Sequence, residues 1–135
     1  MINKLFLQNK KMEVLLDTSS IIFSFYLKKD IFSNIEDLGF TPVVVSSVVE
    51  ELKKIAKRNS KYAVAARYAL KVIEERKKEK RIKIIKTKGN ADEAIQRIAK
   101  KKKIRVCTND KQMKKRIKKL GLEILTVKSN GFVGE

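Results

Sequence analysis

Histidine and tryptophan are absent from these 135 residues, and cysteine and proline occur once each. Without histidine there is no imidazole general base and no His-ligated zinc. A lone cysteine excludes a disulfide within the chain and any Cys-rich metal site. Cys107, in the apolar run Ile104-Arg105-Val106-Cys107, reads instead as a buried small hydrophobe. Hydrolytic chemistry must therefore run on carboxylates, hydroxyls, lysines or a metal held by oxygen. No apolar run approaches the roughly 20 residues that cross a bilayer. Leu5-Phe6-Leu7 is too short for the core of a signal peptide, so the first eleven residues resemble a basic leader only faintly. No membrane association is expected, and the chain reads as cytoplasmic. Acids are scarce too: 15 against 33 lysines and arginines leave a formal charge of +18. Such an excess implies a polyanionic partner, nucleic acid being the commonest. A thermophile's lysine bias would raise glutamate alongside, and here the acids lag. With three tyrosines and six phenylalanines, no aromatic-rich RNA platform stands out, and most aromatics look like core.

What is present is a regular alternation. The length suits one domain with one core. Glu13-Val14-Leu15-Leu16 reads as a buried strand, followed by helices over Ser19 to Leu27 and Ile31 to Leu38, the second closed by Gly39. Pro42 to Val45 is a second strand leading to a helix that reaches about Arg58. Tyr62, Ala65, Ala66, Ala69, Val72 and Ile73 recur at helical spacing in a long amphipathic helix ending near Lys80. Arg81 to Ile85, Ile104 to Cys107 and Leu122 to Val127 complete five strands, with helices at Ala91 to Ala99 and around Met113, Ile117 and Leu120, the last stopped by Gly121. Strands alternating with helices predict an α/β domain: a mostly parallel sheet covered on both faces. On such sheets ligands bind beyond the carboxyl ends of the strands.

Four acids fall at those ends. Asp17 directly follows strand one, Glu51 and Asp92 lie in the first turns after strands two and three, and Asp110 follows strand four. Taken singly, each is explained as a helix cap or a dipole partner. Ser47-Val48-Val49-Glu50 and Asn90-Ala91-Asp92-Glu93 even fit a capping box, which assigns Glu50 and Glu93 to capping and frees Glu51 and Asp92. Four together at one sheet edge are harder to dismiss, because clustered carboxylates repel unless a cation lies between them. A hard divalent ion, Mg²⁺ or Mn²⁺, suits oxygen ligands. Such an ion polarises a phosphodiester and activates water.

Leu15-Leu16-Asp17-Thr18-Ser19, Val48-Val49-Glu50-Glu51-Leu52, Ala91-Asp92-Glu93-Ala94-Ile95 and Cys107-Thr108-Asn109-Asp110-Lys111 resemble, in order and spacing, the signature blocks of PIN-domain nucleases. The last block, continued to Ile117, looks most like the PIN nuclease of eukaryotic small-subunit rRNA processing and its archaeal relatives; the VapC toxins share the blocks more loosely. The resemblance implies a five-stranded parallel sheet in the order 3-2-1-4-5, flanked by helices on both faces. It also implies Mg²⁺- or Mn²⁺-dependent cleavage of single-stranded RNA. Carried over residue by residue, Asp17, Glu51, Asp92 and Asp110 are catalytic, with Asp17, Asp92 and Asp110 on the metal and Thr18, Thr108 and Asn109 in support. Ser19 departs from the family, where Asn is common. The domain is expected to span 12–128, with short extensions at 1–11 and 129–135, and Met12 is a possible start.

Basic residues cluster at Lys53 to Arg58, Arg76 to Arg81, Lys100 to Lys103 and Lys111 to Lys119. The Arg76 to Arg81 cluster reads as a solvated helix face. The helix after Asp110 begins beside the proposed site, so Lys111, Lys114, Lys115 and Lys118 are expected to guide RNA. Expected partners are single-stranded or precursor ribosomal RNA, a ribosome-assembly protein or, for a VapC-type toxin, an antitoxin. PIN domains often pair as dimers, and Phe23, Phe25 and Tyr26 serve either such a homodimer or simply the core. Two rivals remain: a non-catalytic basic RNA-binding subunit, opposed by the presence of all four acids, and a receiver-type phosphotransfer domain, opposed by strand one offering Asp17 alone.

Overall fold

The computed structural model describes residues 12–135; the leader-like stretch expected at 1–11 lies outside the described residues. Strand β1 (Glu13–Leu16) lies at the centre of the sheet, and Val14, Leu15 and Leu16 are fully buried. The same holds for Val43, Val44 and Val45 of β2 (Thr41–Val45). Both strands read as unbroken apolar runs because helices cover both faces of the sheet. β3 (Lys83–Ile85), β4 (Arg105–Cys107) and β5 (Ile124–Val127) are also parallel to their neighbours, and the order is β3-β2-β1-β4-β5, as expected. Leu15 sets the register, lying opposite Val43 on one side and Val106 on the other.

A sixth strand, β6 (Val133–Gly134), extends the sheet where a terminal extension was expected. It pairs antiparallel with β5, Val127 opposite Val133, after a turn in which Gly131 adopts φ +87°. The Val133 N–H donates to Asn34 Oδ1 at 2.5 Å, so the tail is tied to the body of the domain.

Six helices lie among the described residues: α1 (Thr18–Tyr26), α2 (Ile31–Asp37), α3 (Ser46–Ala56), α4 (Lys61–Lys78), α5 (Ala91–Lys102) and α6 (Lys111–Lys119). α4 packs on α1 and α3 through Ala65, Ala66 and Ala69, whose small side chains allow close approach of the helix axes. Gly39 and Gly121 end α2 and α6 in the left-handed conformation, as their positions predict.

Three expectations need correction. The first concerns the start of α3. β2 runs into it without a connecting residue, so Val45 occupies the cap position and no capping box forms. Thr87 takes over the task from 40 residues away: its hydroxyl oxygen accepts from the Ser47 N–H at 3.2 Å, and its own N–H donates to Ser46 Oγ at 2.8 Å. Glu50 is exposed, and among the described residues it pairs with Lys53 alone, at 3.2 Å.

The second correction is Arg76, which is not on a solvated face. It is 5% exposed, ion-paired with Glu36 and with Asp30, and hydrogen-bonded to Ser33 Oγ at 2.7 Å. Burial alone would raise the Glu36 carboxyl, but hydrogen bonds and charge from Arg81 and Arg76 outweigh it and hold Glu36 below the ordinary glutamate value.

The third concerns the aromatics. Phe25 and Phe32 are core, but Tyr26, Tyr62 and Tyr68 are 42%, 41% and 62% exposed. The helical spacing that placed Tyr62 among core residues does not settle which side of a first-turn residue meets solvent.

Candidate active site

The turn after β1 builds the buried end of the site. The Asp17 N–H donates to the Cys107 carbonyl at 3.1 Å, which carries the β1–β4 pairing one residue further. Its side chain then caps α1, accepting from the Ser20 N–H at 2.9 Å. The Ser19 hydroxyl, 2.9 and 3.0 Å from the two carboxylate oxygens, donates to them, and the Thr108 hydroxyl donates to Oδ2. Asp17 is only 3% exposed. Burial raises its carboxyl above the ordinary aspartate value even against those three donors.

The turn after β4 supplies the matching half. Thr108 is fully buried, and its hydroxyl oxygen also accepts from the Asp110 N–H at 3.0 Å. Asp110 caps α6 through the Gln112 N–H at 2.9 Å. The Asn109 N–H donates to Ser19 Oγ at 3.1 Å. The Asn109 side chain pairs with both backbone groups of Val127, donating to its carbonyl at 2.9 Å and accepting its N–H at 3.0 Å. Asn109 thus holds the end of β5 against the β4 turn. Cys107 below is buried, with its thiol pushed up to about 12 by that burial, so it is inert, as read from its apolar run.

Asp17, Glu51, Asp92 and Asp110 line one cleft of about 410 Å³, although they come from four stretches of the chain. Thr18 and Ser19 line it as well. Glu51 lines this cleft and Glu50 does not. The Asp92 carboxyl is raised first by burial, then by the charges of Glu51 and Asp110, and Arg116 offsets part of that rise. Neighbouring carboxylates raise one another in this way, and a cation between them would relieve it.

The donor set consists of oxygens throughout, which fits a hard divalent ion. Among the described residues no three acid side chains are poised to grip one ion directly, so the fit is to an ion that keeps part of its water shell, as Mg²⁺ does. Thr18 Oγ1 is the one buried side-chain oxygen without a hydrogen-bond partner among the described residues, and its residue lines the cleft.

Several lining residues escaped the sequence reading. Arg58, Ser60 and Tyr62 border the cleft at the α3–α4 connection, and Arg116 acts on Asp92 from α6. Arg58 and Arg116 lay inside basic clusters where nothing in the pattern set them apart from their neighbours. Lys111, Lys115 and Lys118 are exposed and Lys114 is half-buried on α6, all outside the cleft lining.

Comparison with known proteins adds the following. The model of the PIN like domain family matches residues 14–130. Ribonuclease VapC9 of Archaeoglobus fulgidus is 28% identical over 118 residues, covering 86% of this chain and 83% of that protein. The structure of the PIN domain endonuclease Utp24 superposes with a TM-score of 0.70 at 29% identity, over 92% of this chain and 90% of the other. A domain of a functionally unknown protein from Methanocaldococcus jannaschii shares the fold, with a TM-score of 0.64 at 18% identity over 87% and 92% of the two chains.

Proposed function

This chain belongs to the PIN-like domain family of nucleases, and from that premise we propose that it is a metal-dependent endoribonuclease acting on single-stranded RNA. The observation that carries the reading is the meeting of Asp17, Glu51, Asp92 and Asp110 around one cleft in a chain of net charge +18. PIN-domain nucleases generally use divalent metal ions, and Mg²⁺ or Mn²⁺ suits these ligands. When bound, the ion supplies Lewis-acid polarisation of the phosphodiester and an activated water.

The residues divide the remaining work. Asp17, Asp92 and Asp110 would hold the ion, in part through its water shell. Glu51 accepts a proton at a carboxylate oxygen as the scissile bond is attacked. Thr108, Ser19 and the Ser20 N–H hold the Asp17 carboxylate in one orientation, and Arg58 and Arg116 draw the phosphate to the cleft against its repulsion by the acids. A labelled single-stranded RNA should be cut with Mg²⁺ or Mn²⁺, left intact with chelator, and left intact by Asp17→Asn with metal present. Cleavage by Asp17→Asn at the parent's rate would defeat the proposal.

For the biological target we propose precursor ribosomal RNA. The likeness of the stretch Thr108–Ile117 to the rRNA-processing type supports this, as does the similarity to Utp24. A ribosome-assembly protein is then the natural partner. The similarity to Ribonuclease VapC9 favours a second reading, a VapC-type toxin held by an antitoxin. Expression without a partner separates them: rapid growth arrest that vanishes with Asp17→Asn supports the toxin.

A further inference from the structure

All three tyrosines of the chain are exposed on one face, and they form a path that starts in the acid cleft. Tyr62, in the first turn of α4, lines that cleft beside Arg58 and Ser60. Its ring lies 5.3 Å from the ring of Tyr26, the last residue of α1. Tyr26 lines the neighbouring groove, about 830 Å³, between α1 and α4, where Tyr68 and Lys61 also stand. The Tyr26–Tyr62 pair therefore joins the two hollows. Lys61 Nζ sits 5.6 Å from the centre of the Tyr26 ring and 5.2 Å from that of Tyr62. Tyr68 leans on the buried Phe25 with ring centres 5.8 Å apart and remains 62% exposed.

We propose that Tyr62, Tyr26 and Tyr68 form a stacking path for the bases of single-stranded RNA, leading one flank of the substrate away from the scissile phosphate. The inference rests on RNA being the substrate proposed above. Flat rings with an open face accept unstacked bases of any sequence, and cations alongside neutralise the phosphates between them. Lys28, Lys29 and Lys61 supply those cations in the groove, and Arg58 does so in the cleft. Two acids of the groove are already engaged, Asp30 with Arg76 and Glu79 with Arg81, at 3.5 Å each. Glu75 lies beyond the far end of the path, about 10 Å along α4 from Tyr68 at ~1.5 Å per residue. A second copy of this chain is the poorer occupant. A twofold contact would set the same lysines against themselves in a protein of charge +18.

The test is binding in chelator, which removes cleavage from the readout. The probes are labelled oligouridine, the same backbone without bases, and inorganic polyphosphate. Tyr62→Ala and Tyr26→Ala should each raise Kd for oligouridine about fivefold or more, the scale of one lost stack. Affinity for the two baseless probes, and the slope of log Kd against log salt, should not change, because stacking releases no counterions. Tyr62→Phe should bind like the parent. Tyr62→Trp places a single indole in a chain that has none; oligouridine should quench it and polyphosphate should not. Equal losses on all probes, an altered salt slope, a Phe variant as weak as the Ala variant, or no loss at all would each overturn the path. So would self-association that disappears in the Ala variants while RNA affinity stays. Cleavage by the parent and Asp17→Asn decides the nuclease reading separately, so a protein that stacks RNA but never cuts it would sink only that reading.

Discussion

A carboxylate that starts a helix and also faces a cleft can be neutralised at little cost in stability when its replacement keeps the capping oxygen. Asp17 is in that position, and asparagine caps a helix about as well as aspartate. Asp17→Asn should therefore shift urea unfolding by no more than ~1 kcal/mol while abolishing cleavage, whereas Asp17→Ala should lose about 0.5–2 kcal/mol as well. A large loss for Asn would mean that the charge itself holds the Ser19 and Thr108 hydroxyls in place.

The adjacent glutamates make a sharper pair. Glu51→Gln should suppress cleavage, while Glu50→Ala should leave both activity and stability near the parent, because its exposed partnership with Lys53 contributes little. Unfolding curves and cleavage rates for the two variants check this together. The four acids were legible because each follows a recognisable strand. Arg58, Tyr62 and Arg116 were not: their neighbours across the cleft come from other stretches of the chain, and charge runs or helical stripes carry no sign of which member turns inward.

Among elements, the junction of α2 and α4 depends on a buried guanidinium. Arg76, itself almost wholly buried, bonds to Glu36, Asp30 and Ser33 and lies 5.9 Å over the Phe32 ring. The Glu36 carboxyl is held below its ordinary value of 4.5 by Arg81 and Arg76 against the opposing effect of burial. A group depressed in the folded state contributes stability above its unfolded value and loses it as pH falls through the folded value. Glu36→Gln should thus be less stable than the parent at neutral pH, and the gap should narrow as pH drops below 4.5. Denaturant midpoints from neutral pH into the acid range read this directly; a constant gap would show that the pair contributes by shape alone.

The element boundaries show where local reading ends. The capping of α3 by Thr87 crosses 40 residues of chain, and no short window reveals it. β6 is a different case: Asn130-Gly131 is a hairpin signal, but Phe132-Val133 after it is too short an apolar stretch to mark a strand by itself.

At the scale of the molecule, charge sets affinity. If lysines on α6 carry phosphates, the salt dependence of RNA binding should fall by about 0.7 in log–log slope for each contact removed. Replacing Lys111, Lys114, Lys115 and Lys118 with alanine, and titrating RNA at several salt concentrations, measures it. An unchanged slope would route the strand along α1 and α4 alone. The parallel sheet was readable as a whole because alternating strand and helix patterns permit few arrangements. The tyrosine face was not, because exposure depends on what packs opposite.

The long reach of the central strand has a consequence for the life of the chain. β1 emerges first, but one of its two neighbours, β4, is encoded some 90 residues later, and Thr108, which completes the Asp17 setting, comes with it. During synthesis Asp17 has its local donors Ser19 and Ser20, but the β4 backbone and the Thr108 hydroxyl reach it only after some 90 further residues have been made. A nascent chain therefore cannot complete the setting of Asp17 until β4 has been made and has docked beside β1.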